Sequence, residues 1–441
     1  MQTICAISTP YGVGGIAVIR VSGKDAISIT DSIFQGRISL AEVKANTVHF
    51  GRIHRGNETL DEVLCSVFRA PHSFTGEDTV EIACHGSIYI QQTLLQWLID
   101  AGAQMAQPGE FTLRAFLNGK MDLTQAEAVA DLIAAQSKAE KDLALSQLRG
   151  SVSNELAVLR ERLLHFTSLI ELELDFADHE ELEFADRSEL TKLSDEIEQK
   201  LQSLLSSFRT GNAIRNGIPV AIVGAPNVGK STLLNALLGE QRAIVSDIQG
   251  TTRDTIEDTL VIDGILFRLI DTAGIRETGD ELENMGIERS RQAARNAQIV
   301  ISLLERGHQG VILDFTPTQT VIKAYNKADL LMPDERMNII DGICISAKHC
   351  VIEPLKKALV RAARESMNIS AVMLSNARHY EAIARAHDAI IRVQEGLKNG
   401  LSGELLSMDL QDCLCALGEV TGQITNQEVL SNIFSKFCIG K

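Results

Sequence analysis

The sequence predicts a multidomain protein that combines α+β and α/β architecture. It has an N-terminal α+β domain, an all-α helical bundle, and a mostly parallel α/β module inserted into that bundle. Three observations lead there. Residues 1–120 alternate short apolar runs with turn residues, as in ICAIS, GIAVIRVSG, TVHFGRI, DEVLCSVFRA and DTVEIACHG. The stretch IPVAIVGAPNVGKS, from Ile218 to Ser231, sets a buried-strand run against a glycine turn and a helix start. Amphipathic stripes flank that module on both sides and find no partner within it, so one bundle with an insertion is the economical arrangement.

A length of 441 residues suggests about three domains. With 45% hydrophobic and 23% charged residues, the composition is that of an ordinary globular protein. No run approaches the roughly 18 uninterrupted apolar residues of a membrane span. The opening MQTICAISTPYGVGG lacks a basic flank followed by an apolar core, so no secretory signal is expected. The eight cysteines are scattered without paired C-x₂-C spacing, which fits a reducing cytoplasm better than a disulfide or zinc framework. The net charge of −16 excludes a general nucleic-acid coat, because phosphate backbones would be repelled on average. A nucleic-acid partner must meet a local basic patch or be presented by another protein.

In chain order, the strand pattern IAVIRV carries Arg20 among apolar residues, and DTVEIAC carries Glu81 in the same way. SIYIQQTLLQWLIDAG reads as a helix stopped at Gly102. From Leu123 the pattern is helical, with Leu156, Leu159, Leu163, Phe166, Ile170 and Leu174 on one stripe. The acidic patch Asp178–Asp186 breaks it and reads as a solvated loop or helix start. A second stripe follows at Leu190, Leu193, Ile197, Leu201, Leu204 and Phe208, and Thr210-Gly211-Asn212 with Gly217 punctuates what comes next. Beyond about residue 372 helices return, with Ile383, Ala386, Ile390, Val393 and Leu397 on one stripe and Leu406, Leu410, Cys413 and Leu417 on another. Thr425-x-x-Glu428 is read as a capping box for a last helix that buries Val429, Ile433 and Phe437. Cys413-x-Cys415 is read as core.

Chemistry concentrates in the inserted module. Gly224 to Ser231 matches G-x-x-x-x-G-K-[ST], in which glycines let main-chain N–H groups curl round phosphate oxygens at a helix N-terminus. Lys230 would reach the β- and γ-phosphates and Ser231 would hold Mg²⁺, with Asn227, Val228, Gly229 and Thr232 completing the loop. Forty-one residues after Lys230, LFRLIDTAG ends a strand in Asp271-Thr272-Ala273-Gly274. There Asp271 supports the Mg²⁺ shell and the Gly274 N–H senses the γ-phosphate. Next, VIKAYNKAD supplies Asn326, Lys327 and Asp329, whose carboxylate suits the N1–H and 2-amino edge that guanine has and adenine lacks. ICISAK adds Ser346, Ala347 and Lys348. Any one short motif is weak. Four in this order, each after an apolar run, point to a guanine-specific module, and residues 217–370 resemble the translation-factor-like GTPases.

Ile275 stands where many regulatory GTPases place a water-orienting Gln, and its side chain can neither donate nor accept. Hydrolysis then needs help from elsewhere, for example from Glu283 and from a monovalent cation held by Asn227. Residues Ser246-Asp247-Ile248-Gln249-Gly250-Thr251-Thr252 would fold over the nucleotide, with Thr252 on Mg²⁺. Residue type alone reads Asn227 more simply as an ordinary loop residue and Glu283 as a solvated charge.

GAPNVGKS, SDIQGTTRD, DTAGIRE followed by DELE, NKAD, and the terminal CIGK together resemble the MnmE (TrmE) family of tRNA-modification GTPases. So do PHSFTGEDTVEI and PGEFTLRAFLNGKMDLTQAEAVADLI in the first domain, so the resemblance spans the chain. It implies GTPase domains that dimerise across the nucleotide face with K⁺ held by Asn227, Ser246, Ile248 and Thr251, and with Glu283 positioning water. It also implies a folate-binding-like N-terminal domain for 5-formyl- or methylene-tetrahydrofolate, with Arg20, Glu81, Lys120 and Lys441 at the matching positions. By residue type, Arg20 and Lys120 read as solvated surface and Glu81 as an edge-strand charge. Cys438 reads as packing or lining the site rather than as a nucleophile.

The implied activity is that of a K⁺-activated GTPase working as a homodimer with a flavin-dependent partner of the MnmG/GidA type that carries FAD. Together they would modify C5 of the wobble uridine of certain tRNAs with an aminomethyl or carboxymethylaminomethyl group. The alternatives are a GTP-switched ribosome-assembly factor without base-modifying activity, and a folate enzyme independent of tRNA. The expected division is 1–120 for the folate and dimerisation domain, 121–212 and 371–441 for the two parts of the helical domain, and 217–370 for the GTPase domain.

Overall fold

The computed structural model describes residues 1–175, 186–239, 258–270, 292, 294–305, 319–332, 339, 341–366 and 372–440. In chain order the strands are β1 (Ile4–Ile7), β2 (Gly14–Ser22), β3 (Phe34–Gly36), β4 (Thr47–Arg55), β5 (Glu58–Phe68), β6 (Thr79–Gly86), β7 (Gln104–Met105), β8 (Ile218–Gly224), β9 (Asp258–Ile262), β10 (Ile265–Leu269), β11 (Ile299–Leu304), β12 (Thr320–Tyr325) and β13 (Ile343–Cys344). The α-helices are α1 (Ala26–Asp31), α2 (Ile88–Asp100), α3 (Glu110–Leu117), α4 (Leu123–Ala134), α5 (Lys138–Leu148), α6 (Ser151–Asp175), α7 (Arg187–Asn216), α8 (Lys230–Gly239), α9 (Glu353–Ser366), α10 (Ala377–Lys398), α11 (Gly403–Thr421) and α12 (Gln427–Phe434). They divide into two compact units, Met1–Ala130 with Leu417–Lys441, and Asp131–Ala416.

The first unit is built on a seven-stranded sheet in the order β3-β4-β5-β6-β2-β1-β7, antiparallel except for the parallel β1/β7 pair. Strand periodicity explains its two faces. Ala17, Ile19 and Val21 of β2 and Val80, Ile82 and Cys84 of β6 bury one face against Leu94, Trp97 and Leu98 of α2. Arg20 and Glu81 alternate onto the other face, as directly paired neighbours on two interior strands. Glu81 is therefore a central-strand residue and not an edge charge. Ile4, Ala6, Ala106, Phe74 and the fully buried Phe111 of α3 pack over this second face.

The last helix differs from its expected register by one residue. Asn426, not Thr425, caps α12, its side chain accepting from the Val429 N–H at 2.8 Å. Asn caps at least as well as Thr, and the face that packs is the i, i+3, i+4, i+7 set from Leu430. Leu430, Ile433, Phe434 and Phe437 pack beside Leu123 and Ala126, and Val429 is exposed.

In the second unit a six-stranded sheet runs β13-β12-β11-β8-β10-β9, parallel except for the β9/β10 hairpin. The hairpin turns on Asp263-Gly264, both at positive φ, as a two-residue primed turn demands. The central strands are buried on both faces. Val220, Ile222, Ile301 and Leu303 face one core, and Ala221, Val223 and Val300 face another. Strand β11 (IVISLL) fills the middle of the sheet, and no motif marks it in the sequence.

The stripes on α6, α7, α10 and α11 bury as their spacing predicts from Leu156 to Ile170, Leu190 to Leu204, Ile383 to Val393 and Leu406 to Leu417. Leu174 is exposed, and of the two cysteines on α11 only Cys413 is core while Cys415 faces out. Thr210-Gly211-Asn212 does not interrupt α7, which continues to Asn216 and stops at Gly217 with φ +83°. Gly211 serves a close approach instead, because a Cβ there would collide with the Leu374 carbonyl of the returning chain. Ser207 Oγ accepts from the Leu374 N–H at 3.1 Å beside it.

Candidate functional site

The glycine loop joins β8 to α8 in the geometry that its sequence requires. Asn227 and Gly229 take φ +61° and +101°, so two loop residues turn through the left-handed half of backbone space. A Cβ on Gly224 would lie 2.5 Å from the Leu303 carbonyl, and one on Gly229 would overlap the Asn326 amide. The loop is thus seated against the ends of β11 and β12 and can carry no side chain at either glycine. Leu233 N–H already bonds the Gly229 carbonyl at 2.9 Å, so α8 starts at the loop and its first-turn N–H groups face it. Lys230 Nζ donates to the Gly224 and Ala225 carbonyls, both at 2.9 Å, and burial pulls its pKa below the usual lysine value.

Asn326 ties the glycine loop to the loop at residues 346–348. Its buried Nδ2 donates to the Val228 carbonyl at 2.8 Å, and its Oδ1 accepts from the Ala347 N–H at 3.0 Å. Lys327 sits at φ +59° with Nζ 2.7 Å from Glu305 Oε2. Asp329 Oδ1 accepts from Ser346 Oγ at 2.5 Å, and His349 Nε2 lies 3.6 Å from its other oxygen. The Ser346 hydroxyl, against a desolvation cost and helped by a main-chain hydrogen bond and the His349 and Lys348 charges, holds this carboxyl below the usual range. An ionised acceptor beside a lysine stem suits a guanine edge. Lys348 is exposed next to it.

Of the remaining expected residues in this unit, Ser246, Asp247, Ile248, Thr251, Thr252, Asp271, Thr272, Ala273, Gly274 and Glu283 lie outside the described residues, as does Lys441 in the other unit. Ser231 and Thr232 stand in the first turn of α8.

In the first unit Arg20 donates from Nε and Nη2 to a single oxygen of Glu81, Oε1, at 2.9 and 2.7 Å. Its guanidinium carbon is 5.4 Å from the Phe74 ring centroid and 5.6 Å from that of Phe111, a double cation–π contact. Lys120 Nζ reaches the Pro71 carbonyl at 2.9 Å. The tail docks here: the Gly109 N–H donates to the Cys438 carbonyl at 3.4 Å, and Ser8 Oγ to that of Gly440 at 3.2 Å. Cys438 contributes its main chain, while its side chain is exposed.

Residues that motif reading passes over complete this region. Glu77 and Glu110 both pair with Arg114, a nearly fully buried arginine on α3. The available signal is a charge within the amphipathic EFTLRAFL, where a solvated arginine would face away from Phe111 and Ala115.

Two family descriptions match the chain. "GTP-binding protein TrmE N-terminus" covers residues 3–120 and "MnmE helical domain" covers residues 123–438. A tRNA modification GTPase MnmE of Parabacteroides distasonis is 56% identical over 464 aligned positions, covering 100% of both chains. The chain belongs to the MnmE family of tRNA modification GTPases. Proteins of the same description from Bacteroides thetaiotaomicron and Flavobacterium johnsoniae are 53% and 50% identical, each covering 100% of this chain and 99% of the relative. As a member of the MnmE family it is a GTP hydrolase. Among the described residues no helix is long and apolar enough to cross a membrane.

Proposed function

We propose that this MnmE-family GTPase is activated by K⁺ and works as a cytoplasmic homodimer with a flavin-dependent partner. Together they would install an aminomethyl-type group at C5 of the wobble uridine of certain tRNAs from a tetrahydrofolate one-carbon donor. In this reading Ser231 and Thr252 hold Mg²⁺, and Asn227 with Ser246, Ile248 and Thr251 holds K⁺. Glu283 positions water in place of the glutamine that Ile275 excludes. Arg20, Glu81, Lys120 and Lys441 bind the folate: Glu81 pairs with the 2-amino-4-oxopterin edge and the cations meet the glutamate carboxylates. GTP hydrolysis acts as a conformational switch, since phosphoryl transfer supplies no carbon to uridine. The four-part division at 1–120, 121–212, 217–370 and 371–441 belongs to the same proposal.

The observation that supports it best is the Arg20–Glu81 pair, bracketed by Phe74 and Phe111. Both arginine donors end on Oε1, and no partner is found for Oε2 among the described residues, so one acceptor would be left for a donor-bearing ring edge. A plain GTP switch has no use for such a constellation. Mass spectrometry of wobble uridines from a deletion strain tests the reading, and unmodified uridine at that position is expected. Normal modification would favour the switch alternative. Hydrolysis should be faster in KCl than in NaCl, and Glu283→Ala should retain nucleotide affinity while slowing turnover. Equal rates in the two salts would remove the cation assignment.

A further inference from the structure

A buried polar network adjoins the Arg20–Glu81 pair on the same sheet face. Ser22 follows Arg20 by two residues in β2 and Thr79 precedes Glu81 by two in β6, and the register pairs Ser22 with Thr79 as it pairs Arg20 with Glu81. Ser22 Oγ donates to Glu77 Oε2 at 2.9 Å and shares a hydrogen bond of 2.7 Å with Thr75 Oγ1. Arg114 Nη1 lies 3.3 and 3.1 Å from the two Glu77 oxygens, and its Nη2 donates to Glu110 Oε1 at 2.7 Å. With a side chain only 4% exposed, Arg114 is a guanidinium enclosed between two carboxylates.

Glu77 closes the segment 71–77, and what this segment carries is specific. Phe74 brackets Arg20, the Pro71 carbonyl receives Lys120 Nζ, and the Thr75 carbonyl accepts from Asn118 Nδ2 at 2.8 Å. Helix α3, which bears Arg114, supplies the other bracket in Phe111, and its N-cap Gly109 holds the tail at Cys438. One ion pair therefore fastens the segment carrying one aromatic ring to the helix carrying the other.

We infer that Arg114 and Glu77 form a positioning pair for the N-terminal ligand site. With Nη1 on Glu77 and Nη2 on Glu110, the Arg114 guanidinium spans two carboxylates and sets the spacing of Phe74 and Phe111 about Arg20, and through Arg20 the orientation of Glu81 toward the pterin edge. The inference rests on the folate reading given above. A planar two-point contact is what arginine provides and lysine does not, so charge alone will not substitute.

The test uses the full chain and 5-formyltetrahydrofolate in titration calorimetry, with GTP turnover and thermal melting run alongside. Arg114→Lys is expected to weaken binding about tenfold or more at unchanged stoichiometry, with GTP turnover within twofold of the unaltered protein. A merely structural role would instead lower the stoichiometry and the melting temperature while the folded fraction binds with its original Kd, and that result overturns the inference. Glu77→Gln, which keeps the side chain's size and removes its charge, carries the same test from the other side of the pair should Arg114→Lys not fold, with the same two outcomes. Binding by the unaltered and altered chains alike removes the positioning role only. No binding by the unaltered chain removes the folate reading, and the pair's role with it.

Discussion

In the GTPase module the candidate ligand groups are main-chain atoms placed by Gly224, Asn227 and Gly229, and one buried amide, Asn326, bolts the glycine loop to the loop at residues 346–348. In the N-terminal unit they are side chains on two paired strands, aligned by register and fixed by ion pairs and rings from a helix and a loop. A backbone cradle tolerates almost no change at its glycines and is indifferent to many side chains. A side-chain site degrades by degrees, each substitution removing one contact. The two halves of this MnmE-family protein should therefore fail differently under mutation.

The largest effect is expected from Gly229→Ala. Its φ of +101° is costly for an L-residue, and the new Cβ would meet the Asn326 amide. On the order of 3 kcal/mol of strain should lower GTP affinity about 100-fold in a fluorescent-nucleotide titration. Near-normal affinity would show that the loop relaxes and is not a rigid cradle. Asp329→Asn replaces the acceptor proposed for the guanine edge by an amide. A loss of about 2–3 kcal/mol for GTP, with a gain for xanthosine triphosphate, is expected in a competition assay.

Asn326→Ala leaves the Val228 carbonyl and Ala347 N–H without their buried partner. It should lower unfolding free energy by about 1–3 kcal/mol in urea while also weakening GTP. A stability loss without an affinity loss would separate the bolt from the cradle.

The pH behaviour follows from Asp329. Its pKa is depressed, chiefly by the Ser346 hydroxyl, so the ionised form persists below the unfolded value. Its contribution is present above the unfolded pKa and is lost only as pH falls through the lower folded one. GTP affinity should show no Asp329 step between about pH 5 and 8. Such a step, abolished by Asp329→Asn, would contradict the hydrogen-bond geometry.

The smallest effect sharpens the N-terminal half. Burial pushes the Cys5 and Cys65 thiols up to about 12 and Cys84 to about 11, while Cys438 is exposed. A maleimide at neutral pH should label Cys438 and spare those three, and 5-formyltetrahydrofolate should slow that labelling a fewfold. Labelling at Cys438 that ignores the ligand would place the tail away from the site.

The glycine loop is legible in the sequence because its requirements sit in one short contiguous stretch. A phosphate loop needs glycine at fixed offsets and a strand and helix at its ends, and all of these are local. The helical stripes were legible for the same reason, since a 3.6-residue period is a local property. Where sequence reading missed, non-local contacts had decided. Gly211 reads as a break in the sequence but serves the close approach of the Leu374 carbonyl, and Asn426 rather than Thr425 caps α12, whose packed face runs through Leu430, Ile433, Phe434 and Phe437.

Motif and family likeness marked Arg20, Glu81 and Lys120 as a group, yet the residues themselves could not say why they belong together. Adjacency of positions 20 and 81 is a matter of strand register. The roles of Phe74, Phe111, Glu77 and Arg114 depend on a helix laid across that register. By itself, then, the sequence determined the glycine loop, the carboxylate proposed for the guanine edge and the helical periodicity, each encoded within a dozen residues. Only the tertiary structure decided which residues surround Arg20 and how Asn326 joins two loops, because those distances are set by packing between segments far apart in the chain.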